Sequence, residues 1–252
     1  MSPDLPAPEE TGATRDTVRG SGQRRYSDRG GDVPARRGDT RRRQSTRDRR
    51  GAQRVVRSDT ERNRRRLIDA AAQLASVHGT AVKMTDVAEV AEVAAATAYR
   101  HFGSVEDILA VYRFDVGLRL LTYSRRSEYH GMDLLEDVCG EWVRLVSEHG
   151  RAMVHTRSDE GYLARLRAGA RHITVQAEAV EGPIAEAAAE LGLPKPGEEG
   201  PFLWNILFDP REIFDLLDTV GLTKAQVNRR LVAAFCGALR GWAAETSDAG
   251  TS

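Results

Sequence analysis

Along most of this 252-residue chain apolar positions recur with the period of a helix, and no stretch shows the strict alternation of a half-buried strand. From Thr60 to His78 the residues Leu67, Ala71, Leu74, Ala75 and His78 form one stripe, widened by Ile68 and Ala72, and Gly79 follows as a helix-ending glycine. The segment KMTDVAEVA predicts a short helix over Asp86 to Ala91, with Thr85 as its N-cap and Asp86 at the positive end of its dipole. A second short helix is predicted from Ala95 to Phe102, and a longer one from Val105 to about Ser124.

Further helical patterns cover Leu134 to Glu148, Glu160 to Ala179 and Pro183 to Leu191, separated by HGM, HGRAMVHT and GLPKPGEEGP. A final pair runs over Pro201 to Leu207, extended after the Asp209-Pro210 break by Arg211 to Asp218, and then over Lys224 to Glu245. In the last helix Val227, Leu231, Ala234, Phe235, Ala238 and Trp242 share one face. The pattern contains no internal repeat, and the predicted fold class is all-α.

Composition changes the picture at the N-terminus. Up to about Ser58 there is almost no large apolar residue, and stretches such as RRRQSTRDRRG cannot offset the entropy of ordering them. Residues 1–58 are therefore expected to be a disordered Arg-rich arm, and residues 247–252 a disordered tail. The formal net charge of +0 hides an asymmetry, because residues 1–66 carry 19 Arg against 10 acids and the remainder carries 18 bases against 27 acids. A basic arm on an acidic body attracts polyanions such as nucleic acid mainly at the arm. The arm is expected to be either a phosphate-tracking extension or a solvated tail with no role. Arg outnumbers Lys by 34 to 3, which suggests a GC-rich genome, so part of the arm could stem from a start placed too far upstream.

Other classes lose ground on the same residues. No segment approaches the roughly 18 consecutive apolar residues of a membrane span, and the N-terminus is not a signal peptide, so a cytoplasmic protein is expected. Cys139 and Cys236 lie far apart in apolar helical patterns and read as buried thiols, with neither a metal site nor a cofactor implied. His155, Asp159 and His172 offer acid, base or ligand chemistry, yet no H-E-x-x-H, G-x-S-x-G or G-x-x-x-x-G-K-[ST] motif accompanies them. An enzyme is not expected.

Two short helices joined by a tight turn, behind a longer supporting helix, make a helix-turn-helix, whose second helix places its leading residues at base edges in the major groove. Ala95, Ala96 and Thr97 are small enough to approach bases, and their methyl groups can touch the thymine methyl. Tyr99, Arg100 and His101 follow as donors near the groove walls, where phosphate contacts position the protein. Phe102 is the apolar anchor. The Arg residues of ERNRRR, at the start of the first helix, lie on its solvent side within reach of a phosphate backbone.

Residues 64 to 112, RRRLIDAAAQLASVHGTAVKMTDVAEVAEVAAATAYRHFGSVEDILAVY, resemble the N-terminal DNA-binding domain of the TetR family of bacterial transcriptional regulators. The resemblance rests on the I-D-A-A…L…G helix, T-x-V-A-E, T-x-Y-x-H-F and G-S-x-E-D-I-L. It implies that Thr85, Tyr99 and His101 contact phosphates and that Ala95, Ala96 and Arg100 face bases. Three positions depart from the family pattern. Glu92 stands where glycine is common in the turn, Ala94 where a serine usually caps the recognition helix, and Val105 where a lysine often follows G-S.

The same resemblance implies the rest of the architecture: a helix-turn-helix domain over 59–104 and a helical ligand-binding and dimerisation domain over 105–246. The stripe from Val227 to Trp242 then belongs to a homodimer interface, and two-fold symmetry suits a palindromic operator on double-stranded DNA. A small-molecule effector is expected in a chamber whose candidate lining is Trp142, Leu145, His155, Arg157, Tyr162, Arg165, His172 and Trp204. Arg157 or Arg165 in that chamber would favour an acidic ligand. A ligand-responsive repressor is the reading implied; a dimeric sensor or interaction module with weak or non-specific DNA binding is the alternative.

Overall fold

The computed structural model describes residues 39–154 and 160–249, with side chains over residues 59–154 and 160–245. The chain divides into two compact units, residues 1–50 and 51–252. Its helices are α1 (Asp39–His78), α2 (Met84–Val90), α3 (Ala95–His101), α4 (Val105–Ser124), α5 (Gly131–Met153), α6 (Tyr162–Arg167), α7 (Arg171–Glu190), α8 (Glu199–Leu207), α9 (Pro210–Phe214) and α10 (Lys224–Ala249). Among the described residues there is no strand.

α1 begins upstream of its predicted start. Residues 39–58 are helical backbone, although their sequence offers no apolar stripe, and Arg is a good helix former in its own right. The earlier part of the arm lies outside the described residues. From Leu67 to Ala75 the predicted stripe is buried except for the half-buried Leu74, with Leu67, Ala71 and Ala75 fully inaccessible, whereas His78 is exposed and does not belong to it. Gly79, at φ +62°, ends the helix as predicted.

Two apolar cores organise residues 51–252. The first joins α1, α2, α3 and the start of α4 through Leu67, Val87, Ala98, Phe102 and Ile108, and Ala152 from the end of α5 closes it. The second joins α4, α5, α7, α8 and α10 around Leu120, Trp142, Val180, Trp204 and Phe235. Tyr112, on α4, packs against both cores. Within the second core α4 lies close on α7, where a Cβ on Gly117 would come within 2.6 Å of Val175 Cγ1. Only glycine lets the two helices approach that far.

α4 has the predicted bounds, and the helices after it are cut differently from prediction. Two helices were predicted over 160–179 and 183–191, but the break falls at Gly169, which adopts φ +72° between α6 and α7. α7 then runs through Pro183 without ending. A proline inside a helix costs about 3 kcal/mol, a penalty that burial of Pro183, Ile184 and Ala187 in the second core can outweigh. After Asp209, which caps α9 by accepting the Arg211 amide at 2.8 Å, the short α9 passes into a π-helical turn over Asp215–Thr219.

The predicted dimer stripe on α10 divides in the structure. Val227, Leu231 and Phe235 are buried in the chain's own core, so they are not available to a second copy. Ala234 is exposed, Ala238 is half-buried, and Trp242 keeps 37% of its surface accessible. The two thiols, Cys139 and Cys236, are free and buried. Burial pushes the Cys139 thiol up to about 12.

Candidate DNA-binding helix and effector cavity

The turn between α2 and α3 closes around Glu92. Its φ of +55° is the only left-handed value among the described non-glycine residues, at the position where the sequence lacks the expected glycine. The conformation costs about 1–2 kcal/mol for a residue with a Cβ. The Val93 amide bonds back to the Ala88 carbonyl at 3.0 Å, and the Glu92 carboxylate lies 3.7 Å from the Arg66 guanidinium.

α3 starts without a side-chain cap. Ala94 occupies the N-cap position, and the Thr97 amide is satisfied by the Ala94 carbonyl at 2.8 Å. One side of the helix is anchored, by Ala98 at no exposure and by Phe102, over whose ring the Arg64 guanidinium lies at 4.7 Å. The other side is free. Ala95, Ala96, Tyr99 and Arg100 are exposed and Thr97 and His101 half-exposed, with Arg100 Nη2 donating to Thr97 Oγ1 at 3.4 Å. Every predicted recognition residue on α3 therefore has accessible surface, and Tyr99 shows 56% of its own.

Thr85 is exposed as well, but it does not cap α2. The helix begins one residue earlier, at Met84, and Asp86 Oδ2 accepts the Lys83 amide at 3.1 Å, so Thr85 stands inside the first turn with its hydroxyl donating to Asp86 Oδ1. The basic turn of α1 is tied to acids: Arg62 to Asp59, and Arg65 to both Asp69 and Asp115, each at 3.2 Å. Exposed pairs of this kind are worth at most about 1 kcal/mol, so a phosphate can displace them.

The second core encloses a cavity of about 370 Å³ between α4, α5, α6, α7, α8 and α9. Four predicted chamber residues line it: Trp142, Arg165, His172 and Trp204. Leu145 is instead fully buried in the core, and Tyr162 packs on Phe202 with ring centres 6.3 Å apart. His155 and Arg157 lie outside the described residues. Sequence reasoning missed Arg113, Asp209 and Arg211, which also line the cavity. Arg113 sits in the middle of the otherwise ordinary stretch VYRFDV, and only its placement on the inner side of α4 reveals it.

The indole nitrogens of the wall are already engaged. Trp142 Nε1 donates to the Phe208 carbonyl at 2.9 Å and Trp204 Nε1 to Cys139 Sγ at 3.4 Å, leaving the rings, 5.3 Å apart, as apolar surface. Burial, with Arg113 and Arg165 nearby, pushes the His172 imidazole down to about 4, so it is neutral near pH 7. Burial also pushes the Arg113 guanidinium down, to about 10. Among the described residues no three His, Cys, Asp or Glu gather as a metal site would require, and no helix is long and apolar enough to cross a membrane.

The profile of the bacterial regulatory proteins of the tetR family matches residues 67–112, the stretch from the buried half of α1 to Tyr112. By this segment the chain is similar to the TetR family. No curated protein sequence matches it. The fatty acid degradation regulator FadR from Bacillus halodurans has a similar fold, with a TM-score of 0.53 at 16% identity over 71% of this chain and 96% of that one. A TetR-family regulator from Mesorhizobium loti aligns at 18% identity and a TM-score of 0.42, over 71% of this chain and 97% of the other. The multidrug binding protein EbrR, solved with imidazole, aligns at 22% and 0.41, over 68% and 93%. The TetR match thus covers the first core apart from Ala152, and the FadR likeness extends the shared fold over the helical body.

Proposed function

We propose that the chain is a ligand-responsive transcriptional regulator that binds a palindromic operator as a homodimer and represses until an effector enters the cavity. The observation that carries this reading is the free face of α3, where Ala95, Ala96, Tyr99 and Arg100 stand exposed on a helix fixed from behind by Ala98 and Phe102. Small residues lead and donors follow, the order a major groove accommodates. Such a regulator acts in the cytoplasm at the nucleoid.

Dimerisation falls to what α8 and α10 leave uncovered. Ile206 is 49% exposed, Trp242 lies tilted against Phe202 and stays partly accessible, and Ala233, Ala234, Gly237 and Gly241 give α10 a shallow exposed side. A second copy packed there would set the two recognition helices for half-sites about 34–36 Å apart. α4 is the natural lever, since it lines the cavity with Arg113, packs closely on α7 at Gly117 and enters the first core at Ile108. Any effect of ligand on DNA affinity is then matched by an equal effect of DNA on ligand affinity.

The test is fluorescence anisotropy with DNA from upstream of the chain's own gene and a scrambled duplex, at about 150 mM salt. A preference of roughly a thousandfold or more supports the regulator. Tyr99→Ala should then weaken specific binding while the thermal unfolding and the oligomeric state stay unchanged. The uncapped α3 and the strained Glu92 favour the alternative, a sensor without sequence-specific binding. Equal affinity for both duplexes, with a steep salt dependence, would establish that alternative.

A further inference from the structure

The cavity wall carries one cation with an unmet hydrogen bond. Three guanidiniums, Arg113, Arg165 and Arg211, line it, against the single carboxylate of Asp209 among the described residues. Asp209 is already committed: it accepts the Arg211 amide at 2.8 Å, and its other oxygen lies 3.5 Å from Arg211 Nη1. Arg211 further donates to the Val154 carbonyl. Arg165 is different, because its Nε is buried and has no hydrogen-bond partner. A buried donor without a partner is costly, and like charges held near one another in a partly desolvated space add to that cost.

We propose that the ligand of this cavity is a small organic anion, a carboxylate or phosphate monoester carrying a planar apolar group. Its charged end lies at Arg165 and its apolar end against Trp142 and Trp204. The inference rests on the reading of the helical body as an effector domain and names the chemistry of that effector. A guanidinium presents a planar fork that matches carboxylate and phosphate oxygens, so an anion both satisfies Arg165 Nε and pairs with its charge. Indoles whose N–H groups are spent offer ring surface and no competing donor. The volume, near the low end of the roughly 300–1,000 Å³ of ligand sites, limits the occupant to about one ring with its substituents. A neutral apolar ligand would leave the Arg165 guanidinium without a counter-charge, and a cation would be repelled by it.

The test uses the full chain, with benzoate and phenyl phosphate as anionic probes and benzamide and benzyl alcohol as neutral counterparts of similar shape. Binding is followed by tryptophan fluorescence excited at the red edge and by calorimetry. The expected result is at least tenfold tighter binding of one anion than of either neutral probe, and the better of benzoate and phenyl phosphate identifies the anionic group. Arg165→Gln is expected to remove most of that preference and Arg165→Lys to restore part of it, with circular dichroism melts reporting that each variant is folded. Should either variant fail to fold, the comparison of anions with neutral probes on the unaltered chain still decides. Equal binding of benzamide, no binding by any probe, or unchanged benzoate binding in folded Arg165→Gln overturns the proposal.

The anisotropy assay, repeated with each probe, separates this inference from the regulator reading. A neutral probe that binds and changes operator affinity overturns the anion assignment and leaves the regulator standing. An anion that binds the cavity of a chain with no preference among duplexes supports the anion assignment, while the regulator reading falls.

Discussion

α3 and α4 start ten residues apart on the same small core, and their first turns are built in opposite ways. α4 opens with a reciprocal cap: Ser104 Oγ accepts the Asp107 amide at 3.1 Å, and Asp107 Oδ2 accepts the Ser104 amide at 3.0 Å. Two otherwise unpaired donors are satisfied by side chains. α3 opens on Ala94 with no such bond, just after a strained Glu92. The difference separates two jobs. The helix that bears load between the cores is fixed at its end, whereas the helix proposed to meet DNA is fixed only along its back and leaves its first amides open to water or to a phosphate.

Removing the shared anchor should have the largest effect, because Phe102 ends α3 and stands two residues before the cap of α4. Phe102→Ala empties a site that is 6% exposed and removes the ring beneath Arg64, a loss of about 3–5 kcal/mol by the usual cost of such truncations. Urea unfolding followed by circular dichroism should show the first core melting early, while the tryptophan signal, to which Trp142 and Trp204 of the second core contribute, shifts less. Coincident transitions would mean that the two cores unfold as one unit and that Phe102 does not act locally.

Next in size is the cap itself. Ser104→Ala is expected to lower stability by about 1 kcal/mol and to speed hydrogen exchange at the Asp107 amide. If the change leaves stability within a few tenths of a kcal/mol, the contrast between the two helix starts has no energetic content.

Much of this contrast could be read from the chain, because its causes are local. The left-handed turn at Glu92, the missing cap at Ala94 and the span of α4 follow from residues adjacent in sequence. Thr85 failed as a cap by one residue, since Asp86 reaches back to Lys83 and moves the start of α2. The body was less legible for the opposite reason. Arg113, Arg165, His172 and Arg211 come from four helices and meet only through tertiary packing, so no spacing announces them. Likewise the stripe on α10 marks an apolar face but not its partner, and Val227, Leu231 and Phe235 turn out to face inward. Periodicity says which side is buried and is silent on what buries it.

Relieving the turn tests how much of the weakness at α3 is strain. Glu92→Gly removes about 1–2 kcal/mol of left-handed cost, offset by the extra backbone entropy that glycine loses on folding, roughly 0.5–1 kcal/mol. The exposed pair with Arg66 adds little either way. A net gain of about 0.5 kcal/mol is expected in thermal unfolding, and a loss would show that Glu92 makes a contribution beyond its backbone.

Restoring the missing cap should have the smallest effect on stability. Ala94 already has extended dihedrals suited to an N-cap, φ −63° and ψ 140°, so a serine fits without strain. Yet the Thr97 amide is bonded to the Ala94 carbonyl at 2.8 Å, which leaves the Ala96 amide as the main new partner. Ala94→Ser is therefore expected to gain only a few tenths of a kcal/mol, below the usual value of about 1 kcal/mol for a cap. The informative readout is DNA affinity measured beside stability. A small gain in stability with unchanged affinity means that this end of α3 is merely uncapped. A change in affinity several times larger than the change in stability means that the open amides, or the surface at position 94, meet the DNA directly, and the absent cap is then part of how α3 reads it.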